Sequence, residues 1–199
     1  MGCGICIAAL NIWSGQAGEL ETALCALRQG NIGIRVLQET KLAGGIHTRR
    51  ISGYTVWATE ADSQHQGGIA IVWGDMEGWG VEGVRNFGPK VVSFIITSGR
   101  KRWYGVGDYV PPNNLPMINW IRQALEYGPK GTRKLIVGDL NVCLENPRDQ
   151  QEEQLATVFA GYGLTGQAQL FLPRWKYLAE GNWTWRIWRE GRPISGRGD

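Results

Sequence analysis

The chain has 199 residues, of which 43% are hydrophobic and 20% are charged. These values are typical of a globular protein with room for a sizeable core, and they exclude a disordered chain. The net charge is only +3, but the segment from Arg174 to Asp199 holds six cations against three acids, which accounts for the whole excess. A basic and aromatic end of this kind favours a polyanionic partner.

No apolar run is long enough for a transmembrane helix, and no secretory signal precedes the four cysteines. We therefore expect reduced thiols in an intracellular protein that has no membrane partner. The 29 glycines and ten tryptophans predict many short strands and tight turns, with a heavily aromatic core or an exposed stacking surface.

In chain order, the first predicted element is a nearly continuous buried strand from Cys6 to Trp13, interrupted by the polar Asn11. Apolar residues then recur at the spacing of one helix face, which predicts an amphipathic helix that ends near Gly30. The residues of that face are Leu20, Ala23, Leu24 and Leu27.

A second strand, from Ile32 to Gln38, delivers the carboxylate of Glu39 at its end. The segment from Asp108 to Asn114 must leave the sheet, because it contains two prolines. Between the two lie four further predicted strands, bounded by Gly, Asp or Ser: Tyr54–Ala58, Gly68–Trp73, Val91–Ile96 and Trp103–Gly107.

The second half predicts a helix, a strand and a helix, followed by a Trp-rich strand. Together with the first half, this order predicts an α/β sandwich of two mixed sheets. The elements are a helix with Leu115, Ile118, Ile121 and Leu125 on one face, stopped by Gly128-Pro129; a strand from Leu135 to Val137; a helix with Leu155, Val158, Phe159 and Tyr162 on one face, ended by Gly163; and a strand from Trp183 to Trp188.

Two polar residues, Asp139 and Asn141, follow the buried strand that ends at Gly138. If the chain stays extended, residues two apart share a face, so the carboxylate and the amide would point the same way. Such a pair can hold a metal, a water or a phosphate. The alternative is that both residues simply make the turn after the strand.

Other polar side chains also stand where predicted strands end. Together they offer hard oxygen ligands for Mg²⁺ and neutral hydrogen-bond donors for a phosphate. The whole set is Asn11, Glu39, Tyr109, Asp139, Asn141 and the terminal Asp199.

The sequence resembles the endonuclease/exonuclease/phosphatase superfamily and, within it, the apurinic-type endonuclease domain of LINE-type (non-LTR) retrotransposons. The resemblance covers residues 1–199 as one domain and implies a four-layer α/β sandwich, two mixed β-sheets flanked by helices. The segments that carry it are Leu10-Asn11-Ile12-Trp13, Leu37-Gln38-Glu39-Thr40-Lys41, Gly68-Ile69-Ala70-Ile71, Tyr109-Val110-Pro111-Pro112-Asn113, Val137-Gly138-Asp139-Leu140-Asn141, Trp183-Thr184-Trp185 and Arg197-Gly198-Asp199.

The resemblance implies Mg²⁺- or Mn²⁺-assisted hydrolysis of a phosphodiester that nicks one DNA strand. It makes Glu39 the main metal ligand, with Asn11 beside it. Asp139 would position or deprotonate the attacking water, while Asn141 and Tyr109 would hold the scissile phosphate. Asp199 would match the acid that orients a catalytic histidine in the family.

The chain departs from the family pattern at three places. Trp13 stands where many relatives carry Asp or Asn, and Gly196 stands where they carry Ser. The family ends with a strand and an Asp-His pair beyond the late acid, whereas this sequence stops at Asp199. We therefore expect a C-terminally incomplete domain that is a poor nuclease. Two alternatives stay open: a catalytically dead remnant that at most binds nucleic acid, and a phosphatase on a small phosphoester.

The Trp- and Arg-rich end offers phosphate contacts and stacking faces for DNA. The residues expected to bind nucleic acid are Trp185, Arg186, Arg189, Arg192 and Arg197. The expected partners are DNA and, in a longer polyprotein, a reverse transcriptase domain. The expected location is intracellular, in the nucleus when the protein acts on DNA.

Overall fold

The computed structural model describes residues 7–12, 17–29, 32–43, 47–62, 67–75, 78–111, 114–142, 144, 147–164 and 185–188. The described residues form ten strands and three helices. In chain order these are β1 (Ile7–Asn11), α1 (Ala17–Gln29), β2 (Ile34–Gln38), β3 (His47–Ile51), β4 (Tyr54–Ala58), β5 (Ile69–Gly74), β6 (Gly80–Gly88), β7 (Val91–Ser98), β8 (Lys101–Tyr109), α2 (Pro116–Tyr127), β9 (Arg133–Asp139), α3 (Gln150–Gly161) and β10 (Trp185–Trp188).

The larger sheet has six strands in the order β10-β1-β2-β5-β4-β3. Its strands β1 and β2 are parallel neighbours, and the other pairings are antiparallel. Parallel neighbours need a crossover, which α1 supplies here. Because both faces of these two strands are covered, their sequences are nearly continuous apolar runs rather than alternating ones.

The smaller sheet has four strands in the order β6-β7-β8-β9. Strands β6, β7 and β8 form an antiparallel meander, and α2 connects β8 to the parallel strand β9. Of two glycines in β8, Gly107 allows the sheets to pack closely and Gly105 makes room for a ring of the neighbouring strand. A Cβ on Gly105 would lie 2.5 Å from the ring of Phe94, and one on Gly107 would lie 2.9 Å from Val36 of the other sheet.

Three clusters of buried side chains separate four layers. The cluster between the sheets joins Val36 and Ile71 to Phe94. A second cluster packs α1, through Leu24, on the outer face of the six-stranded sheet. A third packs α2 and α3 on the outer face of the four-stranded sheet, with Ile121 at its centre. The layer order helix, sheet, sheet, helix confirms the predicted α/β sandwich.

Two strands, β3 and β6, lack the sequence signal of a strand. The first, His47–Ile51, lies at a sheet edge and its central residues are exposed, so it shows no apolar alternation. In β6 the apolar residues Val81, Val84 and Phe87 are spaced by three. The register shifts there beside Gly83, whose φ of +59° marks an irregularity that resets the alternation.

The segment that begins at Asp108 stays in the sheet for longer than the prolines suggest. Tyr109 still pairs with Asp139, and the chain leaves the sheet only at Val110. The prediction that the sheet ends before Asp108 is therefore wrong. The physical reason is that Pro111 is the first residue of the segment without the N–H that the ladder requires.

The three predicted helices are confirmed, with ends set by local signals. α2 begins at Pro116 and ends at Tyr127. It is followed by the C-cap Gly128, whose extended ψ of 140° is the conformation favoured before Pro129. α3 is capped by Asp149, whose side chain accepts a hydrogen bond of 2.9 Å from the backbone N–H of Glu152. Among the described helices, none is long and apolar enough to cross a membrane.

Candidate active site

Four polar side chains meet where the carboxyl ends of two parallel strand pairs face each other. Asn11 ends β1 and Glu39 follows β2, while Tyr109 and Asp139 end β8 and β9 as direct register partners. Alternation along β9 explains the direction of Asp139: Val137, two residues earlier, belongs to the core between the sheets. The same argument applies to Asn11. The site is thus the polar mouth of the inter-sheet core.

Glu39 is the centre of this site. Its Oε1 accepts a hydrogen bond of 3.2 Å from Asn11 Nδ2, and its Oε2 lies 3.9 Å from the ammonium of Lys41. The charge of the carboxylate also acts on the hydroxyl of Tyr109 from the other sheet. Because the Glu39 side chain is 18% exposed, the carboxylate is held firmly yet remains open to solvent.

Tyr109 interacts electrostatically with the carboxylates on both sheets. Burial raises the pKa of its hydroxyl well above the ordinary value for a tyrosine. The interaction with Glu39 and the negative charge of Asp139 raise it further. The hydroxyl therefore stays protonated in neutral and mildly alkaline solution, where it can act as a neutral hydrogen-bond donor.

The loop after β2 holds Glu39 in an uncommon backbone conformation. The φ angles of Glu39 and Lys41 are +54° and +48°, in the left-handed region where side chains other than glycine are strained. Two backbone hydrogen bonds fix the loop: Thr40 N–H donates to Gly68 O at 3.3 Å, and Lys41 N–H donates to Gly67 O at 3.0 Å.

Gly68 is required at this contact for two reasons. Its φ is +78°, and a Cβ on it would lie 2.6 Å from Thr40 Oγ1. The predicted turn at Gly67-Gly68 therefore has a further role, because it supports the loop that presents Glu39.

The turn between β6 and β7 joins the two halves of the site. Pro89 O accepts a hydrogen bond of 3.1 Å from Gly68 N–H, and the next carbonyl, Lys90 O, accepts one of 3.0 Å from Tyr109 N–H. The Lys90 ammonium lies 3.6 Å from Asp62 Oδ2, and its side chain is 12% exposed. The distance between Glu39 and Tyr109 thus depends on a turn that belongs to neither of their own strands.

The relation between Asp139 and Asn141 differs from the extended arrangement considered above. Asn141 has a φ of +48°, and its backbone N–H donates to Asp139 Oδ1 at 3.3 Å. Its side-chain Nδ2 donates to Val110 O at 3.0 Å. The two residues therefore form the turn after β9, which was the alternative interpretation, and Asn141 additionally ties that turn to the end of β8.

Two residues near the site carry no role in the sequence prediction. Lys41 is two positions after Glu39. At this spacing two side chains share a face in a strand but not in a turn, so the sequence alone does not predict their ion pair. Gln38 is fully buried beside Asn11, its register partner on β1, and neither amide atom has a hydrogen-bond partner among the described residues. A polar residue at the end of an apolar strand is the one available signal for it.

Neither a protein-family model nor a curated protein sequence matches the chain. Solved structures do match. The endonuclease domain of TRAS1, a telomere-specific non-LTR retrotransposon, superposes with a TM-score of 0.61 at 18% identity, covering 84% of this chain and 78% of that domain. The chain has the endonuclease/exonuclease/phosphatase fold.

Two more structures with the endonuclease/exonuclease/phosphatase fold are similar to this chain. The Xenopus laevis APE2 catalytic domain matches with a TM-score of 0.54 and 16% identity, covering 78% of this chain and 67% of that domain. A humanized D. rerio TDP2 matches with a TM-score of 0.51 and 12% identity, covering 81% and 68%. The fold implied by the sequence resemblance is therefore confirmed.

The basic end of the chain enters this fold through β10. Its strand runs antiparallel to β1, with Trp185 opposite Leu10 and Arg186 opposite Ala9. The backbone of Trp185 therefore lies at the same edge of the sheet as Asn11. The other residues expected in this region, Arg189, Arg192, Arg197 and Asp199, lie outside the described residues.

The described side chains include no group of three or more His, Cys, Asp or Glu that could hold a metal ion. A Mg²⁺ site needs fewer ligating side chains, because this ion keeps several waters and is often bound through one or two carboxylates. Glu39 fits such a site: a carboxylate has about four lone-pair positions, and it already draws the Lys41 cation to 3.9 Å. Asn11 is the neighbouring oxygen-bearing side chain.

Proposed function

We propose that this protein hydrolyses phosphodiester bonds with the help of Mg²⁺ or Mn²⁺ and nicks one strand of DNA, as the endonuclease of a retrotransposon does. The observation that carries the proposal is the convergence of Glu39, Asn11, Tyr109 and Asp139 at one edge of the sandwich. The endonuclease domain among the structural neighbours supports the same class of reaction.

Glu39, with Asn11 beside it, would hold the metal ion. When bound, the ion would polarise the phosphate and offset the negative charge that develops during hydrolysis. The Lys41 ammonium would share the Glu39 carboxylate with the ion, which keeps the local charge low when the metal is absent.

Asp139 is the base that fits best. Its carboxylate takes a proton from a water, the water oxygen forms a bond to phosphorus, and one phosphorus–oxygen bond of the strand breaks. The departing oxygen then takes a proton from solvent. The Asp139 Oδ1 atom is fixed for this role by the hydrogen bond from Asn141 N–H.

Tyr109 and Asn141 would hold the phosphate. The raised pKa of Tyr109 keeps its hydroxyl protonated, so it can donate to a phosphate oxygen without adding charge. Asn141 uses one N–H for Val110 O, and an amide nitrogen carries a second N–H that can donate to the substrate.

The basic residues Arg186, Arg189, Arg192 and Arg197 would contact the DNA backbone, with Trp185 beside the reacting phosphate. In a retrotransposon polyprotein, this unit would act together with a reverse transcriptase domain. It would work in the nucleus, where chromosomal DNA is available. Asp199 would match the acid that orients a catalytic histidine in the endonuclease family that the sequence resembles.

A plasmid assay tests the proposal. Supercoiled plasmid is incubated with the protein in Mg²⁺ and, separately, with a chelator, and the open circular product is measured. We expect slow, metal-dependent nicking that falls to background in Glu39→Gln and Asp139→Asn. The matched control is Glu60→Gln, an exposed carboxylate outside the site.

Three outcomes would contradict the proposal. Plasmid binding without metal-dependent nicking would point to a remnant that only binds nucleic acid. Inhibition by inositol phosphates, together with phosphate release from them, would point to a phosphatase on small phosphoesters. Nicking that survives both substitutions would place the chemistry elsewhere.

A further inference from the structure

Two basic segments that are distant in sequence lie side by side at the end of the molecule opposite the candidate active site. Two segments of five residues, 98–102 and 130–134, each contain three cations and no acid. The first forms the β7–β8 turn and the start of β8, and the second leads into β9. Because β8 and β9 are parallel, with Trp103 opposite Arg133 and Tyr104 opposite Lys134, both segments are at the same end.

We define this cationic end as six residues. All except the partly buried Lys134 are exposed to solvent. The six are Arg100, Lys101, Arg102, Lys130, Arg133 and Lys134.

Part of this positive charge has no acid paired with it among the described residues. Arg102 pairs with Glu82 at 2.5 Å, and the Lys134 ammonium lies 5.8 Å from the ring of Tyr162. Arg100, Lys101 and Lys130 make no ion pair within the described part of the chain. Crowded like charges destabilise a fold unless a partner of opposite charge offsets them.

The cationic end is far from the candidate active site. β8 runs from Lys101 at one end to Tyr109 at the other, a strand of nine residues. At about 3.3 Å per residue, the two ends are roughly 26 Å apart. The part of a substrate that is bound at Tyr109 is therefore too far from Lys101 to contact it. The cationic end has to be a separate contact surface.

We propose that the cationic end is a second binding surface for the phosphate backbone of a nucleic acid. This inference goes beyond the proposed nicking reaction and needs no catalysis.

The geometry favours an extended polyanion over a single anion. Neighbouring strands are about 4.8 Å apart, so the two segments present their cations side by side across the sheet end. A nucleic-acid strand carries a negative charge about every 3.4 Å and can therefore engage several of these cations at once. Arg100 adds a planar guanidinium group, which suits bidentate contacts to phosphate.

The test measures binding by fluorescence anisotropy as a function of salt, in chelator so that no DNA is cleaved. The probes are a labelled 20-base-pair DNA duplex and an RNA of the same length. The variant is the triple substitution Arg100→Gln, Lys101→Gln and Lys130→Gln, which changes only exposed positions.

The matched control removes the same net charge from exposed positions elsewhere. It is the triple substitution Arg28→Gln, Arg49→Gln and Arg122→Gln. Thermal unfolding of all three proteins checks that the fold is kept.

For the duplex, each lost phosphate contact lowers the slope of log K against log salt by about 0.9, so the first triple variant should lose about 2.7. The control should lose less than one. The comparison of DNA with RNA then shows which backbone is preferred.

Equal slopes for both triple variants and the wild-type protein would overturn the proposal. So would equal losses in both variants, because they would show an effect of net charge alone. Competition by polyglutamate as strong as that by nucleic acid would assign the surface to an acidic protein instead. None of these outcomes depends on whether the plasmid is nicked.

Discussion

The carboxylate of Glu39 raises the pKa of the Tyr109 hydroxyl, although the two residues belong to different sheets. Glu39 follows β2 of the six-stranded sheet, and Tyr109 ends β8 of the four-stranded sheet. This interaction links the two halves of the site at the mouth of the core between the sheets. Asp139 adds its charge to the same hydroxyl from the neighbouring strand.

The first prediction concerns metal binding by Glu39. Glu39→Ala removes the central carboxylate of the site, so we expect Mn²⁺ affinity to fall by at least tenfold in a paramagnetic or calorimetric titration. The control Glu60→Ala removes an exposed carboxylate outside the site and should bind Mn²⁺ as the wild-type protein does. Equal affinities in all three proteins would show that Glu39 is not a metal ligand.

The second prediction concerns Tyr109 at alkaline pH. Below about pH 10, its hydroxyl is protonated in both the folded and the unfolded chain, so its stabilising contribution is fully present. Above that pH the unfolded chain loses the proton first, because the pKa of Tyr109 is raised in the folded state. The free energy of unfolding should then decrease as pH rises, by up to about 1.4 kcal/mol per pH unit.

Urea unfolding of the wild-type protein and of Tyr109→Phe between pH 9 and 11 measures this effect. The variant lacks the titrating group, so its stability should fall less steeply over this range. The exposed Tyr127 provides a control, because Tyr127→Phe should keep the wild-type slope. Parallel pH curves for wild-type protein and Tyr109→Phe would contradict the prediction.

The third prediction separates backbone strain from crowding at the Glu39 loop. Gly68 and Gly53 both have positive φ angles, +78° and +84°, so an alanine at either costs about 1 kcal/mol or more. Only at Gly68 does the added Cβ meet another atom within 3.0 Å, namely Thr40 Oγ1. Gly68→Ala should therefore cost more stability than Gly53→Ala and should also weaken Mn²⁺ binding.

Chemical denaturation gives both stabilities, and the Mn²⁺ titration gives the second readout. The Gly53 turn is far along β3 and β4 from the site, so Gly53→Ala should leave metal affinity unchanged. If the two variants lose equal stability and bind Mn²⁺ equally, the loop does not depend on the close approach of Gly68.

The fourth prediction concerns the basic end of the chain. We expect Arg186, Arg189 and Arg192 to contact phosphates without reading the DNA sequence. Replacing all three with Ala should reduce the salt slope of duplex binding by about one unit for each contact. Affinity should fall by the same factor for duplexes of unrelated sequence. A triple variant with unchanged salt dependence would show that these arginines lie outside the interface.

The sequence was sufficient for the elements that carry buried apolar residues. β1, β2 and β9 are apolar runs, and apolar residues recur every three to four positions on the face of α2, because positions buried in a core are occupied by apolar residues. Edge strands show no such pattern. β3 has exposed central residues, and the irregular register of β6 breaks the alternation that marks a strand.

The sequence also named the polar residues at strand ends, but not how they are joined. Asn11, Glu39, Tyr109 and Asp139 come from four strands, and their separations along the chain contain no distance information. The parallel pairing of β1 with β2 and of β8 with β9 brings them to one edge. The packing of one sheet on the other then brings the Glu39 carboxylate close enough to Tyr109 to raise the pKa of its hydroxyl.

Local conformation decided the remaining contacts. The extended arrangement of Asp139 and Asn141 suggested by their spacing is replaced by a turn, because Asn141 adopts a left-handed φ and donates to Val110 O. The cationic end likewise exists only through the β8–β9 register, which places two short basic segments together. Composition and periodicity thus determined what is buried, whereas pairing between distant strands determined which charges and hydrogen-bonding groups meet, because those contacts depend on the folded path of the chain.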